Sequence, residues 1–203
     1  MNKKYKSTDK IILSDCDGVM CNWEFAFAIW MVDHGYEEIE DAHYHYSMAM
    51  RFNLPDLAIR QLVTVFNESA AIGFLPSLRD SIQYVKKLHE EQGYVFHVIT
   101  SLSKDPNAQA LREINLKKLF GDTAFTKFKY LDTAAEKTSA LEEYRDSGLW
   151  WIEDKVENAD LGHEMGLRSL LMEHGHSIEY NGPATVVTKW EEIYGIITDE
   201  NTP

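Results

Sequence analysis

Three apolar runs set the frame of this chain, and each of them stops at polar residues. Lys10-Ile11-Ile12-Leu13-Ser14 runs into Asp15-Cys16-Asp17-Gly18-Val19. Gly93-Tyr94-Val95-Phe96-His97-Val98-Ile99 runs into Thr100-Ser101. Leu149-Trp150-Trp151-Ile152 runs into Glu153-Asp154, with Asn158 and Asp160 just beyond. Short runs rich in β-branched and aromatic residues predict buried strands. Elsewhere the spacing is helical. Leu78, Ile82, Val85 and Leu88 share one face of a helix predicted over 76–91, and Asp105-Pro106 opens another that ends near Phe120-Gly121. Further predicted elements are a short strand at 124–128, a helix over 136–146 closed by Gly148, a helix from Asp154 to Met165-Gly166, strands at 169–172 and 185–188, and a last helix over 189–196. Such alternation predicts an α/β fold, a doubly wound, Rossmann-like parallel sheet with helices on both faces.

Residues 21–75 do not fit a simple crossover. They are too many, and they are rich in aromatics: Trp23, Phe25, Phe27, Trp30, Tyr36, Tyr44, Tyr46, Phe52, Phe66 and Phe74. The segment reads as mostly helical, clearest over 57–66, with Asn53-Leu54-Pro55-Asp56 as a start signal. We expect a small helical cap inserted between a core made of 1–20 and 76–203.

Composition narrows the function. A hydrophobic content of 44% supports a packed core, and no apolar run approaches the ~20 residues of a membrane span. The basic start, Met1-Asn2-Lys3-Lys4-Tyr5-Lys6, is followed by a polar stretch and not by a signal-peptide core. A net charge of −13 opposes nucleic acid polymers and anionic membranes as partners. It does not oppose a small phosphorylated substrate, because a metal, a lysine and helix N-termini reverse the field locally. Cys16 and Cys21, flanking the Asp15–Asp17 turn, read as reduced thiols and point to a cytoplasmic setting.

The strand ends carry the chemistry. Residues i and i+2 of a strand share a side, so Asp15 and Asp17 can leave the first strand toward one site, and Gly18 lets the backbone turn away. One carboxylate can attack phosphorus while its neighbour handles the proton. A calcium loop would want an oxygen ligand at Val19 and a glutamate at Ala26, and neither is present. A hydroxyl at the end of the second strand, Thr100, suits a phosphate contact. Lys137 precedes the third run, which ends in acids. In open α/β sheets the ligand sits outside the carboxyl ends of the strands. Cys16 has no histidine partner nearby and points away from Asp15, which argues against a cysteine nucleophile. His43 and His45 lack the partners of a metal site, and His174-Gly175-His176 reads as a surface turn.

This ordered set resembles the haloacid dehalogenase-like superfamily of phosphohydrolases, whose four motifs match Asp15/Asp17, Thr100, Lys137 and Glu153-Asp154 over nearly the whole chain. Within it, Asp-x-Asp-Gly-Val before an aromatic stretch, Thr100-Ser101-x-x-Lys104 and Glu136-Lys137-Thr138 resemble the 5′(3′)-deoxyribonucleotidases. Two features depart from that pattern: Glu153-Asp154 in place of two aspartates, and the continuation Asn158-Ala159-Asp160-Leu161-Gly162. The departures leave the substrate open. The resemblance implies Asp15 as nucleophile and Asp17 as general acid/base. It implies Thr100, Ser101, Lys104 and Lys137 as phosphate contacts, and Mg²⁺ held by Asp15, Asp154 and the backbone carbonyl of Asp17. Glu153 is a further ligand or supports one. Trp23 and its neighbours Phe25, Phe27 and Trp30 offer a surface for a nucleobase. The expected activity is Mg²⁺-dependent hydrolysis of a phosphomonoester through an aspartyl-phosphate, on a small (deoxy)nucleoside monophosphate. Another phosphometabolite, such as a sugar phosphate, is the alternative, and a non-catalytic binding protein on the same scaffold is a third. A dehalogenase is disfavoured, because that chemistry has no need of Asp17.

Overall fold

In the computed structural model, which describes residues 4–133 and 135–199, the three apolar runs become neighbouring strands. These are β1 (Ile11–Ser14), β2 (Val95–Ser101) and β4 (Trp150–Glu153). With β3 (Phe125–Leu131), β5 (Arg168–Met172) and β6 (Thr185–Val187) they form one sheet in the order β3-β2-β1-β4-β5-β6. Every pairing is parallel. This is the doubly wound α/β sheet that the alternation predicts. Order reverses at β1, which pairs with β2 on one side and β4 on the other, so the ligand crevice is expected at the ends of these three strands. Successive residues of β1 serve opposite faces. Ile12 packs in the cluster with Phe96, Val98 and Trp190, and Leu13 in the cluster with Ile99, Trp151 and Tyr144.

Between β1 and β2 lie α1 (Trp23–Asp33), a 3₁₀ turn at Ala42–Tyr44, α2 (Met48–Arg51), α3 (Asp56–Asn67) and a second 3₁₀ turn at Ala70–Phe74. Asn22 caps α1 by accepting the amide of Phe25. Phe27, Met31, Phe52, Ile59 and Phe66 from this segment belong to the same apolar cluster as the sheet. The segment is therefore helical, and its packing is continuous with the core.

Three elements differ from the sequence pattern. The helix expected over 76–91 is α4 (Ser81–Glu90), beginning later. Its expected first turn is held instead as a bridge and a turn: Ser77 bridges Cys21, the amide of Leu78 donates to the Met20 carbonyl, and Arg79 has φ +45°. The helix expected over 136–146 is a short α6 (Thr138–Leu141) tightened into a 3₁₀ turn at Glu142–Tyr144. There Glu143 is drawn to Lys4 and Lys127, and the Tyr144 hydroxyl bonds His97. β3 runs three residues past its expected end, because Lys127 and Lys129 alternate with Phe128 and Tyr130 on a sheet edge. The remaining helices are α5 (Pro106–Phe120), α7 (Val156–Glu164) and α8 (Trp190–Asp199). Among the described residues no helix is long and apolar enough to cross a membrane. Met1, Asn2 and Lys3 of the basic start lie outside the described residues.

Candidate active site

The ends of β1, β2 and β4 open into a cavity of about 440 Å³. Asp15, Asp17, Gly18, Thr100, Ser101, Lys137 and Asp154 line its floor, and Trp23, Tyr46 and residues of α3 line its opposite wall. The strands thus bring together the acids, the hydroxyl and the lysine, although Asp15 and Lys137 are 122 positions apart in sequence.

Asp15 is anchored to the sheet by its amide, which donates to the Ile152 carbonyl at 2.9 Å. Its Oδ1 accepts the Cys16 amide at 2.6 Å, and Lys137 Nζ lies 2.6 Å from its Oδ2. The same Nζ lies 2.6 Å from Glu153 Oε1, so one buried ammonium bridges two buried carboxylates. Burial pushes Asp15 up to about 7 against the pull of Lys137, with Glu153 and Asp17 adding to the rise. For Lys137, burial works against the charge but Asp15 and Glu153 outweigh it, so the ammonium titrates above its ordinary range.

Glu153 is fully engaged. Oε1 accepts from Lys137 and from Asn158 Nδ2 at 2.7 Å, and Oε2 accepts the amides of Asp154 at 2.6 Å and Lys155 at 2.8 Å. Despite burial, these donors hold it below the usual carboxylate range. It is placed to orient Lys137 and the turn after β4. Asp154 is the reverse case: burial, then Glu153 and Asp15, push it well above its ordinary value.

Asp15, Glu153 and Asp154 each place an oxygen within 4.8 Å of the others. Three carboxylates face one lysine there, and Asp15 and Asp154 show the strain of it. An all-oxygen, electron-rich group of this kind fits a hard divalent ion such as Mg²⁺. Each Glu153 oxygen already takes two donors, whereas each Asp15 oxygen takes one and keeps a lone pair, so Asp15 and Asp154 are the side chains with capacity to hold the ion. Gly18, at φ +70°, makes room beside them: a Cβ there would lie 2.1 Å from Asp154 Oδ2.

Thr100 lines this cavity, and its buried Oγ1 has no hydrogen-bond partner among the described residues. An orphaned hydroxyl in the wall of a cavity that a lysine also lines suits an anionic oxygen. Ser101 Oγ donates to the Ala135 carbonyl at 3.1 Å, which ties the loop before Lys137 to β2.

Some expected site residues are elsewhere. Lys104 does not line the cavity; its side chain is 81% exposed and pairs with Asp132 at 3.0 Å, because the chain turns outward to start α5 at Asp105. The Asp17 side chain is not in the acidic group, and turns instead toward Arg112 of α5, with Nη1–Oδ1 at 2.6 Å and Nη2–Oδ2 at 3.2 Å. Asp160 accepts the Tyr180 hydroxyl and leaves the site to Asn158. Alongside Tyr46, Trp23 alone of Trp23, Phe25, Phe27 and Trp30 lines the cavity. Phe27 is buried behind it, Phe25 is 54% exposed, and Trp30 stacks on Phe27 and His34. Trp23 is fixed in place: Nε1 donates to Asn67 Oδ1 at 2.9 Å, and its ring stacks on Phe27 with centroids 4.7 Å apart. Cys16 is buried in the core with its thiol pushed far up by burial, which suits no nucleophile.

Three contributors carry no motif in the sequence. Arg112 is fully buried against Asp17 and Cys16. Asn67 joins Trp23 to the Leu102 carbonyl. His174 is no surface turn: its Nε2 lies 2.7 Å from the Gly18 carbonyl and braces the turn that follows Asp15. Burial lowers its pKa, as suits a neutral ring donating that bond.

No family model matches the chain, and no curated protein matches it. Solved structures do. A haloacid dehalogenase-like family hydrolase from Streptococcus pneumoniae superposes with a TM-score of 0.61 at 16% identity, covering 92% of this chain and 97% of its own. CbbY from Rhodobacter sphaeroides, in complex with phosphate, gives 0.58 at 18% identity over 91% of this chain and 96% of its own. L-2-haloacid dehalogenase from Xanthobacter autotrophicus, with chloropropionic acid covalently bound, gives 0.59 at 9% identity over 93% and 98%. The chain therefore has the haloacid dehalogenase-like fold. At these identities the likeness is one of architecture, and the choice among activities rests on the site.

Proposed function

We propose that the protein is a phosphomonoester hydrolase that works through an aspartyl-phosphate on Asp15. The observation that carries this reading is the buried ammonium of Lys137 shared by Asp15 and Glu153, with Thr100, whose buried hydroxyl has no partner among the described residues, lining the same cavity. The Asp15 carboxylate attacks phosphorus and the P–O bond to the leaving group breaks. Asp17 gives its proton to the leaving oxygen and later takes one from water. Lys137 and Thr100 bind the phosphoryl oxygens, and Lys137 keeps Asp15 anionic. Asp15, Asp154 and the backbone carbonyl of Asp17 would hold Mg²⁺, which when bound supplies the charge neutralisation that an anionic nucleophile needs near an anionic phosphate. The fold is shared with a dehalogenase, but carbon–halogen displacement needs neither a proton donor at Asp17 nor an extra metal carboxylate at Asp154.

On this reading residues 21–75 are a cap over the core, and the substrate is small. The cavity falls within the ~300–1,000 Å³ of small-molecule sites, at about 440 Å³. A nucleoside monophosphate is favoured by Trp23, held flat on Phe27 by Asn67 with its ring at the cavity wall. A sugar phosphate is the second reading, favoured by Glu24, Asp56 and Arg60 in the same wall. Free, buried cysteines suit a reducing, cytoplasmic setting. The test is hydrolysis of p-nitrophenyl phosphate by the wild type and by Asp15→Asn. We expect Mg²⁺-dependent turnover that Asp15→Asn abolishes with the fold intact; a fully active variant would end the proposal. A deoxynucleotide and sugar phosphate panel then decides the substrate.

A further inference from the structure

Arg112 is a second buried cation beside the acids. It is fully buried, it arises from α5, which packs on the face of the sheet that holds Cys16, and it grips Asp17 with both terminal nitrogens. Nη1 also lies 2.8 Å from Cys16 Sγ. Its Nε has no hydrogen-bond partner among the described residues, so Asp17 is the one carboxylate they place on the fork. A bidentate guanidinium–carboxylate contact fixes the plane of the carboxylate as well as its position. Each Asp17 oxygen uses one lone pair on Arg112 and keeps the other. Asp17 lines the cavity, so its remaining lone pairs are hydrogen-bond acceptors of fixed direction at the floor.

We propose that Arg112 is a positioning residue for the second half of the reaction, aiming Asp17 at the water that hydrolyses the aspartyl-phosphate. In that step a water oxygen bonds to phosphorus, the bond between phosphorus and the Asp15 oxygen breaks, Asp15 leaves as a carboxylate, and the water proton passes to Asp17. An acceptor of fixed direction serves this step, in which the attacking water has no tether of its own. The first step is less exposed to the loss of Arg112 when the leaving group is a stable anion such as p-nitrophenolate, which departs without a proton. The inference rests on the aspartyl-phosphate reading above, and the two fail differently.

The experiment is rapid-mixing kinetics with p-nitrophenyl phosphate on the wild type, Arg112→Gln and Arg112→Lys, with folded fraction measured by circular dichroism. For Arg112→Gln we expect a burst approaching one p-nitrophenolate per folded site, then a steady state slowed about 10- to 100-fold, the size of a misdirected general base. The phosphorylated enzyme should also be visible by intact mass after acid quenching. Arg112→Lys keeps the buried charge but not the fork, and should fall between the two. It carries the test if the glutamine variant does not fold. Burst and steady state reduced together, in proportion to the folded fraction, would show a structural role only and overturn the inference. A wild type that never phosphorylates Asp15 would overturn the function reading, and this inference with it.

Discussion

Replacing Lys137 by methionine should separate what holds this site together from what makes it reactive. Lys137 Nζ lies 2.6 Å from both Asp15 and Glu153, and all three residues are buried. At that distance and an effective dielectric of ~20, each contact is worth roughly 6 kcal/mol before desolvation is counted. Desolvation of three buried ions cancels much of this. The measured cost of removing one partner of a buried pair is about 3–5 kcal/mol. For a chain of this size that lowers Tm by roughly 6–20 °C. The loss has two parts. Glu153 keeps three donors, from Asn158 and the amides of Asp154 and Lys155, while Asp15 keeps only the Cys16 amide. A second substitution, Glu153→Gln, removes one of the stranded charges and should recover part of the lost Tm. It should not recover turnover, because Asp15, already raised to about 7 with Lys137 present, moves further up without it and is held protonated at neutral pH. We expect both variants to be slower by about 10²-fold or more, the size of a lost oxyanion contact. The assays are calorimetric melting and p-nitrophenyl phosphate turnover below the lowered Tm. A single variant as stable as the wild type, or a double variant that regains turnover along with stability, would refute the bridging role.

Gly18→Ala should fold with a loss of about 1–3 kcal/mol from its φ of +70°, yet lose most activity, since its Cβ displaces Asp154; normal metal dependence and turnover would count against the Asp154 assignment. Mg²⁺ binding should release protons, because in the metal-free protein Asp15 titrates near 7 and Asp154 well above its ordinary value. Affinity should therefore rise with pH through 7, and calorimetry in buffers of different ionisation heat reads the release; no buffer dependence near pH 6.5 would contradict it. The same shift makes the contribution of Asp15 to the stability of the metal-free chain fullest below its ordinary 3.8, and lost as pH rises through about 7. Melting curves across that window, with and without Mg²⁺, check the sign. Trp23→Ala should raise KM for a nucleoside monophosphate about 10-fold, from the ~1–3 kcal/mol of one stacked base, and leave p-nitrophenyl phosphate nearly unchanged. Phe25→Ala, at a 54% exposed position, should alter neither; equal losses on both substrates with Trp23→Ala would mean the ring serves packing alone.

The sheet was legible because parallel strands buried on both faces read as continuous apolar runs, and β1, β2 and β4 each combine such a run with a polar stop. Where the pattern misled, a long-range contact had overruled local preference. The start of α4 was delayed by the bridge between Ser77 and Cys21, and α6 was cut short where Glu143 is drawn to lysines of β3 and the N-terminal segment. Neither partner lies within a helical turn of the residue it affects, so no local window contains the information. Lys104 shows the limit of matching a spacing. Thr100 and Ser101 reach the cavity because β2 delivers them there, but three residues on the chain has left the strand, and the lysine meets Asp132 instead.

Arg112 illustrates a different failure, and one with a remedy. No motif includes it, but the periodicity of α5 does. Ala108, Arg112, Leu116 and Phe120 recur every four residues, with Asn115 beside them, and all are buried. A charged residue and an amide thus occupy the stripe that packing reserves for apolar side chains. Each is explained only by a distant partner, Asp17 for Arg112 and the Leu75 carbonyl for Asn115. A buried arginine without a partner would be too costly to keep. Its place on an apolar stripe therefore implies a buried acid opposite, in a helix that follows directly on a strand ending in Thr100-Ser101. The acids available at neighbouring strand ends are few, and Asp17 is one of them. A conflict between residue type and helical period is in this way evidence of a site, as strong as a motif and independent of it.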